Sequence, residues 1–304
     1  MKKKQLTVDN EFVKNNIQEI ERIIENNDSF RKLYIIKILF AFILFVVSIA
    51  FMLYITITSD GILFMIGFVG IIISFIIVIV TNNNYKLGFK NKVIKDIIKK
   101  YNSSFEYYPD QGFSREEYDL CKFREKCDNY NSNDLVVNQS TGFKYANLLI
   151  KSEFDDSENR TITKETFKGA IARIDIKDCQ CDIYLGSVKK NVFSKEDYQA
   201  IKLENDDFNS LFAPCTNNEL QARKLLTPDI IEYFIDIKKN TFGDIDIRII
   251  HDKLYVRFSS VDVFIPNLLF KKREVKSIVS SITILEEIVK ILNNIKNIIN
   301  TKNT

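Results

Sequence analysis

LYIIKILFAFILFVVSIAFMLYITI, from Leu33 to Ile57, decides how this chain is organised. It holds 25 residues with a single charge, Lys37, and at 1.5 Å per residue an apolar helix of that length crosses a hydrocarbon core of about 30 Å. A second run, Ile62 to Val80, adds 19 residues with no charge and is also long enough to span. Only Thr58, Ser59, Asp60 and Gly61 join the two runs, so an antiparallel transmembrane hairpin is predicted, with both ends on one side. Lys37 lies one turn inside the first run, where its long stem returns the ammonium to headgroup level, and it needs no ion-pathway role. A cleavable signal peptide is rejected, because 32 polar and mixed residues precede the first run and no small-x-small cleavage site follows it.

Charge placement orients the hairpin. Lys2, Lys3, Lys4, Lys14, Arg22, Arg31 and Lys32 come before it, Lys86, Lys90, Lys92, Lys95, Lys99 and Lys100 come after it, and the connecting turn has no basic residue. The positive-inside rule then expects both termini in the cytoplasm. Gly67 and Gly70 leave room for a partner backbone in the second helix, although their spacing is not GxxxG. In residues 1–32, Val8, Phe12, Ile17, Ile20 and Ile24 predict an amphipathic helix. In residues 82–100, Phe89, Val93, Ile94, Ile97 and Ile98 share one side, and Lys86, Lys90, Lys95 and Lys99 share another. Those four lysines are candidate contacts for anionic lipid, each contributing about 1 kcal/mol near such a surface. The plainer reading is a topology signal, which positive-inside retention alone requires.

The remaining chain, residues 101–304, has the length of one domain. The net charge of +3 over 304 residues gives no reason to expect a nucleic-acid partner. The cysteines, Cys121, Cys127, Cys179, Cys181 and Cys215, are odd in number and widely spaced, which suits a reducing compartment rather than a disulfide scaffold. The expected fold is an α+β domain, a mixed or antiparallel sheet with packed helices, after the helical hairpin at residues 33–81.

Local signals fill in that domain. Ser114 to Glu117 matches a capping box opening a helix through Tyr118, Leu120 and Phe123, and a polar stretch from Asp128 to Asp134 follows. Strands are predicted over Phe143–Phe154, Thr166–Ile176, Asp182–Gly186 and Ala200–Leu203, with an acidic turn at Asp155 to Asn159. ENDDFNSLF, Glu204 to Phe212, reads as a helical turn that buries Phe208 and Phe212. Thr216 to Glu219 reads as a second capping box, with a favourable Glu219 to Arg223 pair behind it. Thr227 suits the N-cap of a further helix, with Pro228 at its first position. Asp244–Ile250 and Lys253–Phe258 predict a hairpin turning at His251 and Asp252. Ile278, Ile282, Leu285, Val289 and Leu292 predict a long terminal helix that either packs on its own domain or forms a dimer seam.

Chemistry is harder to find. The single histidine, His251, falls in a predicted turn, so neither a Ser-His-Asp nor a Cys-His pair assembles. Cys179 and Cys181 are two apart rather than in CxxC spacing, and are read as same-face strand residues, not metal ligands. Glycine-rich phosphate loops, HExxH and GxSxG are absent from the sequence. No catalytic, cofactor-binding or metal-binding residue is assigned.

YYPDQGF at Tyr107–Phe113, Asn133-Asp134-Leu135-Val136, FKGAIARIDI at Phe167–Ile176, LENDDFNSLFAP at Leu203–Pro214, NELQARKLLTPDIIEYF from Asn218, and DKLYVRF followed by DVFIP ending at Pro266 together resemble a bacterial membrane family known as domain of unknown function 3137. The segment Ala222 to Pro228 is the most specific of these. The resemblance implies location and architecture, and carries over no reaction and no catalytic residue. The chain departs from the family pattern at Asn133, where the family tends to have Glu, and at Gln221, which leaves Arg223 without an adjacent acid. Arg223 is a candidate contact for an anion or a partner carboxylate, or else a structural partner of Glu219. The leading expectation is a noncatalytic membrane module that recruits or regulates a protein partner, or a second copy of itself. A membrane-bound enzyme using carboxylates or a cysteine is the rival, and an accessory subunit of a transport or envelope complex is the third reading.

Overall fold

The structure is a computed structural model that describes residues 11–58, 61–123, 127–155, 160–187, 198–240, 244–261, 263–264 and 275–302. Val8, the turn at Ser59 and Asp60, most of the acidic turn after Asp155, and the Ile265-Pro266 end of the family motif lie outside the described residues. The chain divides into a hairpin unit, Glu11–Ile97 with Ile265–Ile278, and a sheet unit, Ile98–Phe264 with Val279–Thr304.

In the hairpin unit, α1 is Glu11–Asn26, α2 is Asp28–Thr58 and α3 is Gly61–Phe89. A π turn, Lys90–Ile94, follows α3 and leads into α4, Lys95–Tyr101. Two helices here are long and apolar enough to cross a membrane, and only 17% and 11% of their most apolar windows are buried. A core helix of a soluble protein would hide these side chains, whereas Ile36, Phe40, Phe42 and Phe75 stand exposed. The two glycines mark where the helices close on each other. A Cβ on Gly67 would lie 2.4 Å from Met52 Cγ, and one on Gly70 would lie 2.3 Å from Ser48 Oγ. Gly67 and Gly70 thus serve helix packing, although their spacing is not the usual one.

The sheet unit is built on an antiparallel sheet that confirms the α+β expectation. Its strands are β1 Glu106–Tyr108, β2 Asn129–Asn138, β3 Phe143–Asp155, β4 Thr161–Asp175, β5 Asp182–Ser187, β6 Gln199–Ala200, β7 Phe212–Thr216, β8 Ile245–Ile250 and β9 Lys253–Ser259. Among the described residues they lie in the order β1-β2-β3-β4-β9-β8-β5-β7-β6. Helices α5 Arg115–Leu120, α6 Asp206–Leu211, α7 Glu219–Leu225, α8 Pro228–Asn240 and α9 Val275–Lys302 complete it.

Register sorts the side chains into two unlike faces, since successive residues of a strand point to opposite sides. Ala170, Ala172 and Ile174 of β4 stand opposite Phe258, Val256 and Leu254 of β9, which stand opposite Ile245, Ile247 and Ile249 of β8. All are essentially inaccessible, and each large one contributes about 1.5–3 kcal/mol by leaving water. Asn147, on the same face of β3, holds the backbone of Val263 by donating to its carbonyl at 2.7 Å and accepting from its N–H at 3.3 Å. Phe264 N–H donates to Ser281 Oγ of α9, and Ile282, Leu285, Ile288, Leu292 and Ile295 of that helix are buried. The terminal helix thus spends its apolar stripe within its own chain. Val289 is only half-buried, and Ile288 takes the place expected for it.

Five local expectations are corrected. The first helix stops at Leu120 because Lys122 turns left-handed at φ 48°. The polar stretch Asp128 to Asp134 lies largely in strand β2, paired through its backbone with β3 and bulged between Asn133 and Val136. The strand expected over Ala200–Leu203 ends at Ala200, because the Asn209 side chain accepts from Leu203 N–H and donates to Leu203 O in place of a neighbouring strand. Asn218, not Thr216, caps α7 by accepting from Gln221 N–H, while Thr216 donates its hydroxyl to Asp182 O. Thr227 sits at the start of α8, where its carbonyl accepts from Ile230 and Ile231, but its buried hydroxyl makes no hydrogen bond.

Gly169 lies where two strands approach most closely: a Cβ there would fall 2.0 Å from Phe258 O, a backbone atom of the paired strand. Gly169→Ala should therefore destabilise the protein by about 1–3 kcal/mol, the range for overpacking a tight site. Thermal unfolding of the detergent-solubilised chain reads this, and an unchanged midpoint would contradict the packing described.

Candidate functional site

The helix that leaves the hairpin carries the basic residues singled out from sequence. Its buried line is Tyr85, Phe89, Val93, Ile94, Ile97 and Ile98. Val93 and Ile94 are adjacent, and they share that line because the π turn adds one residue to the helical repeat, closed by Lys95 N–H donating to Lys90 O. Of the four lysines, Lys95 and Lys99 are exposed, and Lys86 and Lys90 are half-buried on the flank. Lys92 and Lys100 are exposed as well. The Lys92 ammonium stands 4.4 Å from the Phe30 ring centroid. Phe30 in turn lies where a Cβ on Gly88 would be 2.3 Å from its Cζ, and it forms an aromatic cluster with Tyr34 and Tyr85.

A second cluster lies on the polar face of the sheet. Arg257 of β9 is 1% exposed and donates to Asp246 Oδ2 of β8 at 2.5 Å and to Tyr118 Oη at 3.1 Å. Its guanidinium carbon is 4.2 Å from the Phe123 ring centroid and 4.3 Å from that of Phe167, close enough for a desolvated cation–π contact. Two residues along, Arg248 donates to Tyr198 Oη at 2.6 Å, and Tyr198 donates to Asp182 at 2.7 Å. Arg173 donates to Glu117 at 2.5 Å and Lys144 donates to the same carboxylate at 3.0 Å. Ser114 does cap α5 by accepting from Glu117 N–H, and the Glu117 carboxylate serves these two cations.

This layer brings Cys121 beside Glu117, Arg173, Arg248 and Arg257, the convergence an enzyme reading would need. Burial pushes the Cys121 thiol up, and the three arginines oppose that only in part. Cys121 is also fully inaccessible. It is packed with Phe113, Tyr118, Phe123 and Tyr184 in one apolar cluster. A nucleophile needs a thiolate and an approach path, and this thiol has the environment of a core residue.

Arg223 is paired within its own unit, with its side chain 43% exposed. Its Nε donates to Glu219 at 2.8 Å and its Nη2 to Lys202 O at 3.1 Å, tying α7 to the chain after β6. His251 occupies the β8–β9 turn at φ 50°. Cys179 and Cys181 are not strand neighbours: they flank Gln180 in a bend, with φ 52° at Gln180. Among the described residues no group of three or more His, Cys, Asp or Glu side chains could hold a metal ion. A shallow groove of about 670 Å³ between α6 and α8 is lined by Asp206, Asp207, Glu232, Asp236 and Lys239.

The family profile described as "Protein of unknown function (DUF3137)" matches residues 162–301. No curated protein matches the chain. Among solved structures, the crystal structure of the mycobacterial trehalose monomycolate transport factor A, TtfA, is similar at 10% identity and a TM-score of 0.35, covering 66% of this chain and 94% of that one.

Two outcomes follow from the buried layer. Asp246→Ala strands the Arg257 charge and should cost about 3–5 kcal/mol, whereas Arg257→Met with Asp246→Leu should cost far less. Alkaline stability should also fall, with the sign set by Tyr107, Tyr130 and Tyr255, whose phenols burial holds above their ordinary 10.0. A raised folded value favours the protonated fold, so its contribution is intact below 10.0 and is lost as pH rises beyond it. Unfolding midpoints across that range measure it, and Tyr107→Phe should flatten the decline.

Proposed function

We propose that this chain, whose residues 162–301 match the profile described as "Protein of unknown function (DUF3137)", is a noncatalytic module, anchored in the membrane by its helical hairpin, that recruits or regulates a protein partner at the cytoplasmic surface. The observation that carries this is the hairpin. Its helices are long, apolar and largely unburied, and water is a poor solvent for such a surface. The basic residues on both arms and none in Thr58 to Gly61 support cytoplasmic termini. Exposed Lys92, Lys95, Lys99 and Lys100 on the helix beyond it suit a surface bearing anionic lipid.

The sheet unit supports the noncatalytic half of the reading. Arg173, Arg248 and Arg257 are each engaged by a carboxylate or phenol of the same unit, and Cys121 is enclosed. Arg223 is tied to Glu219 and lies with it on the outer surface, where a partner would be met.

Crosslinking and affinity purification of the full chain from its native membrane should recover a reproducible protein partner or a homo-oligomer; recovery of neither removes the recruitment reading. A reporter fused after Thr304 should signal from the cytoplasm. An external signal would reverse the topology.

A further inference from the structure

We propose that the groove between α2 and α3 binds one acyl chain of an anionic phospholipid, with Lys37 taking the headgroup phosphate; this rests on the hairpin spanning a bilayer. The groove has a volume of about 230 Å³ and is lined by Ile38, Ala41, Phe42 and Phe45 of α2 and by Ser74 and Val78 of α3. Its floor is deep because Ala41 and Ser74 are small and buried where the helices meet. Its rim is raised by Phe42, Phe45 and Phe75, the last two edge-on at 5.7 Å. Ser74 donates its hydroxyl to Ile71 O at 2.7 Å, so the groove asks nothing polar of its occupant. Further along, contact of the two helices at Ser48 with Gly70 and at Met52 with Gly67 closes the gap. A blind apolar slot fits a hydrocarbon tail.

The charge at the other end selects the headgroup. Ile38, Ala41 and Phe45 continue a helical stripe that passes through Tyr34 one turn earlier. Tyr34 and Tyr85 are in contact there, tilted with centroids 5.8 Å apart, and the Lys37 ammonium lies 5.1 Å from the Tyr34 ring centroid, at the end of the slot that Ile38 opens. Arg31 and Lys32, one turn earlier still, are both paired with Asp28. Among the described residues no carboxylate pairs with Lys37. A cation inside an apolar helix that has only a ring for company is complemented by an anion at the interface. A phosphate at that point would place its lipid tail in the groove, which begins at the next residue, Ile38.

The chain contains no tryptophan, so one introduced residue reports alone. Phe45→Trp places the reporter in the groove, and Phe40→Trp places it on α2 at a side chain 62% exposed. Each variant is reconstituted as full-length protein in vesicles, and its fluorescence is quenched by phosphatidylglycerol or phosphatidylcholine brominated on the acyl chain. Phe45→Trp should be quenched preferentially by the anionic lipid, by about fivefold, as one basic residue near an anionic headgroup provides. Phe40→Trp should show a ratio near one, and Lys37→Gln should abolish the preference at Phe45→Trp. Equal quenching by both lipids at both positions, or a preference that survives Lys37→Gln, overturns the site. Quenching at Phe40→Trp with none at Phe45→Trp overturns it differently, because protein, a second copy or a partner helix, then covers the groove. Quenching at neither position means that the hairpin is not in the bilayer, and the anchoring role fails with it.

Discussion

A guanidinium buried in the middle of an antiparallel sheet constrains everything around it. Arg257 is essentially inaccessible, and a charge in that position needs partners close by; its buried Nε makes no hydrogen bond, while its Nη groups have such partners. Asp246 supplies one from the opposite position on β8, Tyr118 supplies another from α5, and Phe123 and Phe167 close the two faces of the plane. The pair adds little net stability by itself, because desolvation offsets attraction, but its loss is expensive. A one-residue slip of β8 against β9 would turn Asp246 to the apolar face and leave Arg257 alone. The ion pair therefore sets register, and it also sets where the α5 segment sits.

That arrangement explains why the sheet has two different coats. One side is Ile, Val, Leu and Ala with Phe258 and Asn147 among them, and the Phe264 to Ser281 bond brings α9 to it. The other carries Arg173, Arg248 and Arg257 under a short segment that brings its own carboxylate, phenol and aromatic rings. Asp134 makes a related junction at the sheet's edge. It sits in the β2 bulge at φ 61°, accepts from the Tyr107 hydroxyl and from Asn147 Nδ2, and so joins β1, β2 and β3. The short polar side chain of Asp tolerates that left-handed backbone better than most residues. Polar groups that look like a reactive centre in a list of residues act here as the joints of a sheet.

The parts of this fold legible in the sequence are those governed by one strong local signal. The apolar runs, the β8–β9 hairpin, the buried Phe208 and Phe212, and the terminal helix all rest on period or turn chemistry that nothing else overrides. The parts that were not legible depend on a distant partner. Asn129 to Asn133 has the composition of a loop and becomes a strand because β3 offers it a backbone ladder. Thr216 looks like a helix cap, but Asp182 O takes its hydroxyl from across the sheet. Cys179 and Cys181 leave the strand because Cys179 N–H donates to His251 O and Asp182 N–H to Asn217 Oδ1, which fixes a bend between them. At the candidate sites the same division holds. The pairing of Arg223 with Glu219 is readable from an i to i+4 spacing, whereas the π turn at Lys90–Ile94 has no sequence signal of its own.

The distribution of charge separates what the two units are suited to do. In the sheet unit the cations that lie deep are answered from within, so their fields are largely spent before they reach solvent. On the hairpin and the helix after it, Lys37, Lys92, Lys95 and Lys99 meet no carboxylate among the described residues, while the surface beside them is apolar. Unanswered positive charge next to a broad apolar surface matches the boundary of a bilayer, where hydrocarbon gives way to phosphate, better than it matches open water. In the sheet unit, by contrast, Arg173, Arg248 and Arg257 each have a carboxylate or phenol of the same unit as a partner, so the two units differ in where their positive charge is left to act.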